Sequence, residues 1–161
     1  NGRIDTSNKE GVMKVRSEIL DIVAYEKKKL NNYHDTSAAD TLKYLIKGYF
    51  AYDRAELKEG VKADDIIKAL EAGNLVIVPT DGRLLKNPNF TAPGPERHML
   101  LVIGYDYKSK KFITNDPGTR RGASYQYPSA ILMKAIADYP SGWHKKAESR
   151  AKNAIIIKPG K

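Results

Sequence analysis

Residues 98–116 read HMLLVIGYDYKSKKFITND, an apolar run, a polar stretch and a second apolar run. That pattern spells a β-hairpin, with strands over 98–105 and 112–115. It constrains the rest of the chain strongly. A hairpin this apolar needs neighbours on its edges and a covering layer on its faces. Further strand-like runs occur at 75–78, ending at Pro79, at 125–127 and at 154–157 (AIII). Helical periodicity dominates the earlier half. Residues 9–32 place Val12, Val15, Ile19, Ile22, Val23 and Leu30 on one stripe, with Ser7 and Asn8 as candidate caps and Asn31-Asn32 at the end. Residues 37–47 form a second helix, capped by Thr36 and closed by Gly48. Residues 63–72 form a third, on Ala63, Ile66, Ile67 and Leu70, stopped at Gly73. A last helix is predicted over 129–139. Between strand and hairpin lies a long loop, 80–97, rich in proline and glycine.

Helices first and antiparallel strands after argue an α+β fold, with N-terminal helices packed on one side of an antiparallel sheet. A length of 161 residues suits one domain, 1–161, and a hydrophobic share of 41% suits a real core. No apolar run approaches the ~20 residues of a membrane-spanning helix. The net charge is +9, but the basic residues are scattered, in 27–29, 108–111, 120–121 and 145–146, without an aromatic-interleaved stripe. A solvated lysine-rich surface accounts for them better than a nucleic-acid partner.

The chain has no cysteine, which excludes disulfides, thiolate metal sites and catalysis by a cysteine of its own. Thr80, Ser124 and Ser129 lie in no nucleophile-elbow motif. His34 and His144 have no ligand spacing. A metal held by Glu96, His98 and Asp116 is conceivable, but neither a metal nor a cofactor is expected. Arg120 and Arg121 are expected to be solvated, Asn87 and Asn115 to bond loop backbone, and Trp143 to pack against the sheet.

Chemistry concentrates at the open end of the hairpin. His98 starts one strand, Asp116 follows the other, and Tyr107 stands nine residues from each. A turn centred on Tyr107 makes them directly opposed, with Cβ atoms about 4.5–5.5 Å apart. The carboxylate would then fix the imidazole tautomer. Spacing alone leaves the reading open, because a histidine at a strand start and an Asp-Pro-Gly turn are common features.

The motifs VIVP (76–79), GRLL (82–85), PGPERHMLLVIGYD (93–106) and FITNDPGTRRG (112–122) resemble the second half of a papain-like domain of the bacteriocin-processing, double-glycine cysteine peptidases. The resemblance covers the last two thirds of the chain. It implies a papain-like fold, His98 as general base and Asp116 as its orienting partner. It also implies a peptide or protein substrate and, as a leaning, an extracellular or cell-envelope setting. Asp81 and Arg83, in the loop before His98, are candidates for lining a substrate cleft. In such proteins the nucleophilic cysteine lies on an N-terminal helix, just after an oxyanion-binding glutamine, and neither is matched here. The chain opens at Asn1-Gly2-Arg3 with no initiator methionine. We therefore expect a domain incomplete at its N-terminus, with its own upstream segment as a partner. A catalytically dead peptide-binding relative is the alternative.

Overall fold

A computed structural model describes residues 5–160. Its helices are α1 (Lys9–Leu30), α2 (Ala38–Asp40), α3 (Ala63–Glu71), α4 (Gly82–Leu85) and α5 (Ser129–Ala135); α2 runs on into a π-helical segment, Thr41–Tyr49. The strands are β1 (Ala55–Lys58), β2 (Leu75–Thr80), β3 (His98–Asp106), β4 (Lys111–Asn115), β5 (Tyr125–Pro128) and β6 (Ala154–Ile157). They form one antiparallel sheet in the order β1-β6-β2-β3-β4-β5. The α+β arrangement expected from the sequence is the one observed.

Alternation along the strands divides the sheet into two faces. Val76, Val78, Leu100, Val102 and Phe112 point to one face, where α3, α4 and α5 seal them into the main core. Ile77, Ile155 and Ile157 point to the other, where they meet Ala38, Leu42 and Ile46. Cover on this second face ends early. An open groove of about 820 Å³ runs over Ile77, Met99, Leu101 and Ile103 towards Pro117 and Ala123.

Several local expectations are corrected. The apolar stripe of α1 is covered only in part: Val15, Ile22, Val23 and Leu30 are half-buried, but Val12 and Ile19 are exposed, and α1 meets the π-helical segment through Tyr25 against Tyr49. The second helix is capped by Ser37, whose Oγ accepts from the Asp40 amide at 3.1 Å, and it continues past Gly48. β2 runs through Pro79 to Thr80. The missing Pro79 N–H falls on the side where β6 has already ended, and the Pro79 carbonyl there accepts from the Ala137 amide. The last helix stops at Ala135 because Ile136 and Ala137 leave it to pair alongside Thr80 and Pro79. Trp143 lies off the sheet, exposed, between the rings of His34 and His144. Strand β1 was not foreseen. It is short, half polar and at the sheet edge.

Candidate active site

The hairpin register differs from direct opposition. Asp106 pairs with Lys111 and Tyr105 with Phe112, so the turn is centred later than Tyr107. A bulge at Ile103 then takes up one residue, and Val102 pairs with Thr114 and Leu101 with Asn115. Continuing that register sets Asp116 abreast of Leu100, with His98 the diagonal neighbour on the same face. Diagonal neighbours lie within reach of long side chains. The imidazole spans the gap, and His98 Nε2 lies 2.7 Å from Asp116 Oδ1.

Both groups are buried, Asp116 at 3% exposure and His98 at 9%. The carboxylate also accepts from the Gly118 amide at 2.9 Å, through Oδ1, and from the Tyr127 hydroxyl at 2.5 Å, through Oδ2. Burial pushes this carboxyl up, but the hydrogen bonds from His98, Tyr127 and Gly118 outweigh it and hold the group below the usual carboxylate value. With two donors besides the imidazole on an ionised acceptor, Nε2 carries a proton towards it. In the neutral ring Nδ1 then holds the lone pair, and it makes no hydrogen bond among the described residues.

Loop geometry fixes this arrangement. The Asp116 amide donates to the Gly122 carbonyl at 2.9 Å. A β-carbon at Gly122 would stand 1.8 Å from the Asp116 carbonyl oxygen, so no other residue fits. At Gly118 a β-carbon would come within 2.9 Å of His98 Cε1. On the other flank the Phe90 ring meets the imidazole edge-on, with centroids 5.5 Å apart, and Thr80 Oγ1 donates to the His98 carbonyl at 3.0 Å.

Asp81 and Arg83 are not brought to this pair. Asp81 binds Arg83 at 2.9 and 3.0 Å, and Arg150 stands 3.5 Å away. The Arg83 bond, ahead of the opposing effect of burial, keeps the Asp81 carboxyl low. Together they line a cavity of about 420 Å³ that also touches Thr80, Arg97 and Tyr139 but neither His98 nor Asp116. Glu96 faces Arg83 and His144, so a metal site of Glu96, His98 and Asp116 does not assemble, and no metal-competent cluster occurs among the described residues. Arg120 and Arg121 are exposed, as expected.

Sequence reading missed Tyr127 and the bond Asn87 makes to it. It also missed Arg97, adjacent to His98, whose guanidinium is paired with Asp35 at 2.6 Å and bonds the carbonyls of Gly142 and Lys145. That pair ties the segment after α1 to the start of β3.

The sequence profile of the Peptidase_C39 like family matches residues 6–145, most of the chain. The chain belongs to the Peptidase_C39 like family. Among solved structures it is similar to a crystal structure from Bacillus anthracis, provisionally named a C39-like peptidase, with a TM-score of 0.54 at 18% identity. The match covers 77% of this chain and 60% of that one, so the chain spans less than two thirds of that relative's length. At this identity the likeness speaks for the fold. No curated protein matches the chain. As a C39-like relative of papain-type peptidases, the chain is a peptidase-like domain, and no helix among its described residues is long and apolar enough to cross a membrane.

Proposed function

We propose that residues 1–161 are the base-bearing part of a cysteine peptidase domain, incomplete at its N-terminus, that hydrolyses peptide or amide bonds in the complete protein. The observation that carries this reading is the buried His98–Asp116 pair, with Nε2 engaged and Nδ1 without a partner among the described residues. Nδ1 takes the proton of a cysteine thiol supplied by sequence outside these residues. The resulting thiolate attacks the substrate carbonyl, and the His98 imidazolium returns its proton to the leaving amine. Water, deprotonated by His98, then hydrolyses the thioester. Asp116 keeps the ring in the Nε2–H tautomer and stabilises its charged form.

The half-covered second face supports the reading. Its groove ends at Asp116 and Pro117, so sequence added over this face would end beside the strand ends that carry the pair, whose side chains lie on the other face. Asp81 and Arg83 shape the neighbouring cavity, where they serve peptide selection rather than bond cleavage.

Because the chain contains no cysteine, a second reading has its own support: a catalytically inert module of the same fold that binds peptides. One experiment separates the two. The parent protein, with whatever sequence precedes Asn1, is assayed on peptide libraries beside residues 1–161 alone. Peptidase expectation is turnover by the parent, lost on His98→Ala or on replacement of an upstream cysteine, and no turnover by 1–161. A parent without an upstream cysteine, or one indifferent to His98→Ala, leaves the binding module standing.

A further inference from the structure

We propose that Tyr127 and Asn87 are positioning residues for the His98–Asp116 pair, forming a proton-ordered relay that sets which imidazole nitrogen is the base. The inference rests on the reading of His98 as a base, and it concerns two residues that touch no substrate.

The order of the relay follows from the donors available at each step. Asn87 Oδ1 accepts from the backbone amide of Asn89 at 2.9 Å, and a backbone amide can only donate. That contact identifies the Asn87 oxygen and leaves its Nδ2 to donate to the Tyr127 hydroxyl, 2.6 Å away. Tyr127 has one hydroxyl proton. With its oxygen already accepting from Asn87, the proton goes to Asp116 Oδ2, 2.5 Å away. This occupies one carboxylate oxygen and turns the other, Oδ1, to His98 and to the Gly118 amide. Nε2 therefore carries the hydrogen, and Nδ1 is the lone pair.

Burial makes the order rigid. Tyr127 is 1% exposed and Asn87 6%, so water does not replace either partner. Burial, then donation to Asp116, also keeps the phenol protonated well above its ordinary range. The Tyr127 ring is clamped against Tyr125, with centroids 4.7 Å apart. The groups in direct contact with the Asp116 carboxylate are His98, Tyr127 and the Gly118 amide, and no Lys or Arg pairs with it among the described residues. Asn87 holds its place because Lys86, just before it, ends α4 in the left-handed region. The long 80–97 segment thus delivers an amide to the far side of the carboxylate.

The test is the tautomer and titration of His98, read from imidazole ¹⁵N shifts on the 161-residue chain. Wild type is expected to show one Nε2–H tautomer at neutral pH. Tyr127→Phe keeps the ring and removes the hydroxyl. It is expected to release Asp116 Oδ2 and give a mixture of tautomers with an altered titration midpoint. Asn87→Asp is expected to do the same by a different route, since a carboxylate at 87 draws the Tyr127 proton away from Asp116. Asn87→Gln, which retains the amide donor, is expected to recover part of the single-tautomer signal. Unchanged tautomer and midpoint in both Tyr127→Phe and Asn87→Asp, with native melting, would overturn the relay. If Tyr127→Phe fails to fold, Asn87→Asp decides alone. This readout needs no peptidase turnover, so it stands or falls separately from the proposed activity.

Discussion

On one face of the sheet Leu100 and Val102 lie sealed beneath helices; on the other, their neighbours Met99, Leu101 and Ile103 line an open groove. The same strand thus borders a finished core and an uncovered surface. The difference shows on which side the His98–Asp116 pair is held. His98 and Asp116 share the first face with Leu100 and Phe112, and their contacts are with Tyr127, Gly118, Phe90 and Thr80. The orienting half of the candidate site is thus built into packed structure. The pair therefore stands without any cover on the second face.

This contrast can be broken by measurement. Phe112→Ala should be the costliest change, about 3–5 kcal/mol by urea denaturation, because a fully buried ring leaves a cavity under α5. Next comes the buried charge. Asp116→Asn should cost about 1–3 kcal/mol at pH 7, through donors left poorly matched. Because the folded carboxyl lies below its ordinary value, its contribution is present above the unfolded value of about pH 4 and is lost as pH falls through the folded one. The gap between wild type and Asp116→Asn should therefore narrow on acidification below about pH 4; a constant gap would show that the charge contributes nothing. The smallest effect belongs to the open face. Leu101→Ser should cost under about 1 kcal/mol, since the side chain is already part solvated, and should reduce binding of an apolar dye. A loss equal to that of Phe112→Ala would mean the second face is not open.

The hairpin and the α+β order were readable in the sequence because both rest on hydrophobic period. The company of His98 and Asp116 was readable too, but for a partly mistaken reason. Two shifts, a later turn and a bulge, do not cancel fully; they leave the residues diagonal rather than opposed, still on one face. Periodicity carries no mark of a bulge between Val102 and Gly104. Tyr127 was hidden because a buried phenol in a strand reads as core, and only its hydroxyl distinguishes it from phenylalanine. Asn87 was hidden because its partner lies forty residues on. The stripe on α1 is half covered, with Val12 and Ile19 left exposed: amphipathicity shows that a face is fit for burial, not how far a partner covers it. Trp143 failed similarly, as its partners are two histidines distant from the sheet.

The extra residue at Ile103 separates the hairpin into two lengths of different register. Below it, pairing with β4 decides how imidazole and carboxylate stand to one another. Above it, Gly104 to Lys111 keep a register of their own. A change of length or charge at the tip, where Tyr107 to Lys110 meet solvent, therefore leaves in place the pairing that sets imidazole against carboxylate.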